Sequence, residues 1–355
     1  MNKKNVLVID DSAFMRKVVS DIINQDPKLH VIDTARNGED GLKKVKQHKP
    51  DVVTLDIEMP VMDGLTALQH IMSEQPTPVL MLSSLTYEGA ESTITALQYG
   101  AIDFINKTSG SISLDLNKKS DEICTKVKQV AKANLRKKAT SMPAMTQEES
   151  NVNTTSKASQ FQHDQTVVAV GVSTGGPKAL QEFLTRIPKS FNSPILVVQH
   201  MPAKFTQSLA ERLDRLSDIP IHEVQNGELL KRGHAYIAPG DFHFEVKTVG
   251  RSLAAVITQD EPIGGHRPSV NKLFKSVAHV PNMNKVAIVL TGMGHDGTEG
   301  AQYLKQHDPS AYLIAESKES AVIYGMPKSL IEEANPHLVK PIKEMADALV
   351  QVVKK

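Results

Sequence analysis

A chain of 355 residues has room for two or three domains, and 40% hydrophobic with 23% charged residues sets it apart from disordered and fibrous proteins. A formal net charge of +1 gives no pull toward nucleic acid or anionic lipid, a single cysteine excludes an internal disulfide, and no apolar run approaches a membrane span. The segment before the first strand, Met1-Asn2-Lys3-Lys4-Asn5, carries no signal sequence, so the expectation is a cytoplasmic protein with no nucleic-acid partner and no membrane insertion.

Val6-Leu7-Val8-Ile9 reads as a buried parallel strand ending in Asp10-Asp11. Ser12 is an N-cap for a helix over Ala13 to Asn24, where Phe14, Val18 and Ile22 recur at helical spacing. A second strand begins at Val31-Ile32, a helix follows over Gly38 to Gln47, and Asp51-Val52-Val53-Thr54-Leu55 is a third strand ending in Asp56. Helix Thr66 to Ser73, strand Val79 to Leu82 ending in Ser83-Ser84, helix Ala90 to Tyr99, and strand Asp103 to Asn106 ending in Lys107 complete the alternation. Such βα alternation predicts a doubly wound parallel sheet, whose functional residues gather at the carboxyl ends of the strands. Asp10, Asp11, Asp56, Ser83 and Lys107 all fall there. Carboxylates converging in this way call for a hard divalent cation such as Mg²⁺. With it, Asp56 is placed to accept a phosphoryl group that Ser83 and Lys107 contact.

This half, roughly Asn5 to Lys137, resembles the receiver domain of bacterial response regulators, a flavodoxin-like fold. The resemblance rests on Asp10-Asp11, on Asp56 with Met59-Pro60 and Asp63-Gly64, on Ser83 and on Lys107. It implies phosphorylation of Asp56 by a histidine kinase, Mg²⁺ held by Asp10, Asp11 and Asp56, and a switch role for Phe104 beside Ser83 and Lys107. One departure is Thr108, where receivers usually carry proline.

Leu116 to Lys137 reads as the closing helix, with Cys124 as a structural thiol. From Ala139 to about Gln165 the chain is rich in Ser, Thr, Asn, Gln and Lys and poor in large apolar residues, a linker composition. The expected division is therefore a receiver over 1–138, a polar linker over 139–165 and a second doubly wound α/β domain, hydrolytic, over 166–355.

The second half opens on Val167-Val168-Ala169-Val170, a buried strand running into Gly171-Val172-Ser173-Thr174-Gly175. A helix from Pro177 to Ile187 follows. Strand, glycine turn and helix are the setting of a nucleophilic serine. A glycine turn that binds phosphate is the plainer alternative. A serine needs a base. Pro194-Ile195-Leu196-Val197-Val198 is the next buried strand, followed after Gln199 by His200, on the same sheet edge if the strands are parallel. Val286-Ala287-Ile288-Val289-Leu290 runs into Thr291-Gly292-Met293-Gly294-His295-Asp296-Gly297, which puts Asp296 on that edge too. Ser173, His200 and Asp296 then form a nucleophile, base and orienting acid, with His295 a rival base and Asp241 a rival acid. Backbone N–H groups of Thr174 and Met293 are the expected oxyanion donors. The Thr174 hydroxyl is alternatively a support for Ser173 or His200. No histidine pair of ligand spacing stands near Ser173, so no cofactor is expected for this chemistry.

With Tyr236-Ile237-Ala238-Pro239-Gly240 and His266-Arg267-Pro268-Ser269-Val270 added to these motifs, this half resembles the catalytic domain of the chemotaxis protein-glutamate methylesterase (CheB) family. The resemblance implies a phosphorylation-activated serine hydrolase that removes methyl esters from receptor glutamates and deamidates certain receptor glutamines. Its implied partners are a chemotaxis histidine kinase and methyl-accepting chemoreceptors. Asn271 stands where the family commonly has aspartate, a change expected to touch loop packing more than the triad. A receiver joined to a non-enzymatic binding domain is the alternative from another class.

Overall fold

The computed structural model describes residues 3–84, 86–107, 120–133 and 165–354. In the N-terminal part the order is β1 (Lys4–Ile9), α1 (Ala13–Gln25), β2 (Leu29–Ala35), α2 (Gly38–His48), β3 (Val52–Asp56), α3 (Gly64–Glu74), β4 (Val79–Ser84), α4 (Tyr87–Tyr99), β5 (Asp103–Lys107) and α5 (Ser120–Val130). The strands pair in parallel in the order β2-β1-β3-β4-β5, the flavodoxin-like doubly wound arrangement. Polar side chains start the helices: Ser12, Asn37, Asp63 and Thr86 each accept an N–H from the first turn of the helix they precede. Residues Val6 to Ile9 are wholly buried because helices cover both faces of the sheet.

The C-terminal part runs β6 (Thr166–Val172), α6 (Gly176–Leu184), β7 (Ile195–Gln199), α7 (Phe205–Asp214), β8 (Ile221–Glu223), β9 (Leu229–Leu230), β10 (Ala235–Ile237), β11 (His243–Val249), β12 (Ser252–Thr258), α8 (Val270–Ala278), β13 (Asn284–Val289), α9 (Thr298–His307), β14 (Tyr312–Glu316), α10 (Met326–Ala334), β15 (Leu338–Lys340) and α11 (Ile342–Val353). A seven-stranded parallel sheet has the order β15-β14-β13-β6-β7-β10-β8. The chain starts at the centre with β6, builds outward through β7, then returns to β13 on the other side of β6. The crevice where the winding reverses is where ligands bind in such sheets.

Some expectations need correction. The closing receiver helix, expected to reach Lys137, ends at Val130, and Ala131 to Ala133 have left it. Its apolar face of Ile123, Val127 and Val130 ends there, and the bonds from Lys132 N–H to Gln129 and from Ala133 N–H to Val130 tighten into a turn. Helix α6 stops at Leu184, short of Ile187, by the same tightening at Arg186 and Ile187. A three-stranded antiparallel sheet, β11-β12-β9, stands beside the expected parallel one. Its hairpin turns at Gly250 (φ 60°), and its strands mix polar and apolar residues without the long apolar runs of the parallel sheet. Thr108 and residues 134–164 lie outside the described residues.

The two parts touch. Helix α4 packs on α6 and α7. Phe104 of β5 stacks on Phe205 of α7 with ring centroids 4.5 Å apart. Tyr87 Oη donates to Glu211 Oε2 at 2.8 Å, and Arg212 Nε donates to Gln98 Oε1 at 3.1 Å.

Candidate active site

Strands β13, β6 and β7 lie side by side, so the residues that follow them meet at one edge. Ser173 follows β6. Its N–H donates to Thr291 O at 3.0 Å, which locks the nucleophile turn against the glycine loop after β13. Glycine is required at several points of this turn. A Cβ on Gly292 would lie 2.3 Å from Met326 Sδ and 2.9 Å from Ser173 Cβ. The left-handed residue is Gly175 (φ 79°), so the serine itself carries no strained backbone.

His200 Nδ1 lies 3.2 Å from Ser173 Oγ, and His200 Nε2 lies 2.8 Å from Asp296 Oδ2. Asp296 is also held from α8: Val270 N–H donates to Oδ2 at 2.7 Å, Asn271 N–H to Oδ1 at 2.9 Å and Ser269 Oγ to Oδ1 at 3.0 Å. Burial alone would push this carboxyl up, but the hydrogen bond and charge of His200 and the N–H groups of Asn271 and Val270 bring it below the ordinary value. An ionised Asp296 at a helix N-terminus keeps the proton of neutral His200 on Nε2. The Nδ1 lone pair then faces Ser173. The rivals stand apart from this chain of bonds: His295 and Asp241 are exposed.

The expected oxyanion donors sit at the same crevice. Among the described residues neither the Thr174 N–H nor the Met293 N–H has an acceptor. The Thr174 hydroxyl supports neither Ser173 nor His200, contrary to the alternative expectation. It donates to Asp103 Oδ2 of the receiver at 2.8 Å. Asn271 is closer to the triad than expected, because its backbone holds Asp296 while its Oδ1 accepts from Gly297 and Gly300 N–H at 2.9 and 2.7 Å. Gln199, for which no role of its own was expected, donates from Nε2 to Ser173 O and His200 O, both at 3.1 Å. Glu316 likewise accepts the Thr291 N–H at 2.7 Å. His266 stacks on His200, ring centroids 3.9 Å apart and planes 7° from parallel. Its motif was visible in the sequence, but nothing in the spacing indicated the stack. The crevice measures about 510 Å³ and is lined from both domains, by Asp103, Phe104 and Lys126 on one side and Ser173, His200 and Arg267 on the other.

A second polar cluster closes the receiver sheet. One oxygen each of Asp10, Asp11 and Asp56 lies within 4.8 Å of the others. Lys107 Nζ is 2.8 Å from Asp10 Oδ2 and 2.7 Å from Asp56 Oδ1. Burial raises the Asp56 carboxyl to about 6 against the opposing Lys107, with Asp10 and Asp11 adding to the rise. An oxygen-only donor set short of positive charge fits a hard divalent cation. Ser83 Oγ is bonded into α4, accepting from Thr93 Oγ1 at 2.5 Å and lying 3.1 Å from Gly89 O. Phe104 is buried between the domains.

The family model for CheB methylesterase matches residues 168–349, and that for the response regulator receiver domain matches residues 6–115. A protein-glutamate methylesterase/protein-glutamine glutaminase of Oceanobacillus iheyensis is 51% identical over 93% of this chain and 94% of its own length. The relative of the same name from Bacillus subtilis is 42% identical over 99% of this chain and 98% of its own length. The crystal structure of the Thermotoga maritima CheB methylesterase catalytic domain is 40% identical with a TM-score of 0.51, and covers 53% of this chain and 98% of that one. The chain belongs to the CheB family of protein-glutamate methylesterases/protein-glutamine glutaminases, with a response regulator receiver ahead of the catalytic domain.

Proposed function

We propose that Ser173, His200 and Asp296 carry the hydrolytic chemistry of this chain. The protein is a phosphorylation-activated esterase and deamidase of chemotactic adaptation, acting on glutamyl methyl esters and on glutamines of chemoreceptors. The observation that carries the residue assignment is the bonded chain Ser173–His200–Asp296, at 3.2 and 2.8 Å.

Ser173 Oγ attacks the side-chain carbonyl carbon while His200 Nδ1 takes its proton. Asp296 stabilises the imidazolium. The carbonyl oxygen becomes an oxyanion facing the Thr174 and Met293 N–H groups. Collapse expels methanol from an ester, or ammonia from a glutamine, with the proton returned from His200. Water then attacks the acyl-serine with the same base, giving glutamate and free Ser173.

In the receiver, Asp10, Asp11 and Asp56 would hold Mg²⁺, which when bound neutralises charge on an incoming phosphoryl group. Asp56 is the acceptor, a chemotaxis histidine kinase is the donor, and Ser83 and Lys107 contact the phosphoryl oxygens. The proposed place of action is the cytoplasm, on the cytoplasmic helices of receptors; no helix among the described residues is long and apolar enough to cross a membrane.

A serine-reactive fluorophosphonate probe and release of methanol from methylated receptor membranes test the assignment together. Wild type is labelled and active; Ser173→Ala and His200→Ala retain fold and lose most of both. An active Ser173→Ala would overturn it.

A further inference from the structure

We propose that His266 is a positioning residue for the base, an aromatic clamp that holds the His200 ring in the plane where it reaches Ser173 and Asp296 at once. The proposal rests on the assignment of His200 as base.

A histidine ring hung from a single side chain rotates about its χ angles unless packing stops it. Its two bonds here, 3.2 Å to Ser173 and 2.8 Å to Asp296, are both made at the ring's edge and put nothing against its faces. The stack supplies the missing constraint, since planes 7° apart at 3.9 Å tolerate little tilt.

The segment that carries His266 is built to be rigid. Ile263 and His266 exchange both backbone hydrogen bonds, at 3.1 and 3.0 Å. Between them Gly264 and Gly265 both have positive φ, 60° and 82°, which is the pattern of a two-residue type I′ hairpin. Arg267 Nη1 then anchors the segment by donating to the Gln259 and Asp260 carbonyls, each at 3.1 Å. Two residues later, Ser269 donates to Asp296. One short run of chain thus clamps the base from its face and the orienting acid from its oxygens. Among the described residues the ring nitrogens of His266 make no hydrogen bond, so its contribution to the site is the ring face. Stacked there, it also covers one face of the His200 ring, whose side chain is only 9% exposed.

The test compares His266→Ala and His266→Gln, which remove the ring, with His266→Phe, which keeps a flat face and no nitrogen, all in the full-length protein. Turnover is measured on methylated receptor membranes, and the low-field proton resonance of the His200 Nε2–H···Asp296 bond is followed by NMR. The ringless variants should lose about tenfold or more in kcat at nearly unchanged KM, the signature of lost orientation. Their low-field resonance should broaden or vanish. His266→Phe should keep kcat within about threefold of wild type, and keep the resonance. Wild-type kcat in a folded ringless variant would overturn the clamp. So would a rise in KM alone, which would make His266 a substrate contact, or a His266→Phe as slow as His266→Ala, which would make its nitrogens the active feature. His200→Ala separates the two readings. If it stays active, the base assignment itself fails; if it is dead while His266→Ala is normal, only the clamp fails.

Discussion

Asp296 concentrates the site's electrostatics in one carboxylate. It accepts from His200, Ser269 Oγ and two backbone N–H groups. Asp296→Asn therefore does more than remove a charge. The amide NH₂ must face at least one of these donors, and the histidine loses the partner that fixes its tautomer. We expect kcat to fall by about 10²- to 10⁴-fold, less than for loss of Ser173 or His200. Stability should fall by about 1–3 kcal/mol near neutral pH, because buried donors lose their acceptor. The pH dependence has a definite sign. The folded carboxyl lies below its ordinary value of 3.8, so its stabilisation is complete above that value and is lost as pH falls through the folded one. Denaturant melts of wild type and variant should differ most at neutral pH and converge toward acid. A gap that widens on acidification would contradict the assigned ionisation. At this scale the meeting of Ser173, His200 and Asp296 was legible in the sequence because all three follow apolar runs, and strand ends share an edge. His266, Ser269, Gln199 and the Asp103–Thr174 bond were not, since each depends on which loop folds over which, and no local pattern records that.

Elements repeat the lesson. The central parallel strands could be read directly, because burial on both faces leaves continuous runs such as Val167 to Val170. The β11-β12-β9 sheet, half-exposed and mixed in polarity, gives a weaker signal and was missed. Where strand β6 meets helix α8, the fit is tight enough to test. A Cβ on Gly171 would lie 2.3 Å from Val270 Cγ1 and 2.8 Å from Cγ2. Val270 is also the residue whose N–H holds Asp296 at 2.7 Å. Val270 is fully buried and has nowhere to retreat. Gly171→Ala should cost about 1–3 kcal/mol by overpacking. It should also lower kcat, because relief of the clash requires α8 to shift and take its Asp296 donors with it. Thermal unfolding together with initial rates checks this. A variant with lowered Tm and wild-type kcat would show that α8 moves without disturbing the acid.

Across the whole molecule, the receiver covers part of the crevice that holds Ser173. Strand β5 reaches the hydrolase twice, through Phe104 on Phe205 and through Asp103 on the Thr174 hydroxyl. The second contact lands on the residue whose N–H is the proposed oxyanion donor. From the phosphorylation pocket there is a physical route to this interface. Ser83 is bonded to Gly89 and Thr93 of α4, and α4 carries Tyr87 and Gln98 to their partners on α7. Phosphorylation of Asp56 would draw Ser83 and Lys107 toward the phosphoryl oxygens and loosen both contacts. It acts only by the difference it makes between closed and open arrangements. The Asp103–Thr174 bond is one charge-assisted hydrogen bond, so removing it should shift that balance by no more than about 1.5–3 kcal/mol. Asp103→Ala should therefore raise the unphosphorylated rate by no more than about 10- to 150-fold and leave the fully phosphorylated rate nearly unchanged. Asp56→Asn should keep the basal rate and lose the response to acetyl phosphate with Mg²⁺. A fragment beginning at Thr166, freed of the cover, should match or exceed Asp103→Ala. If Asp103→Ala instead lowers the rate in both phosphorylation states, the receiver edge helps to bind substrate. Activation would then work by completing the crevice, and the covering model would be wrong.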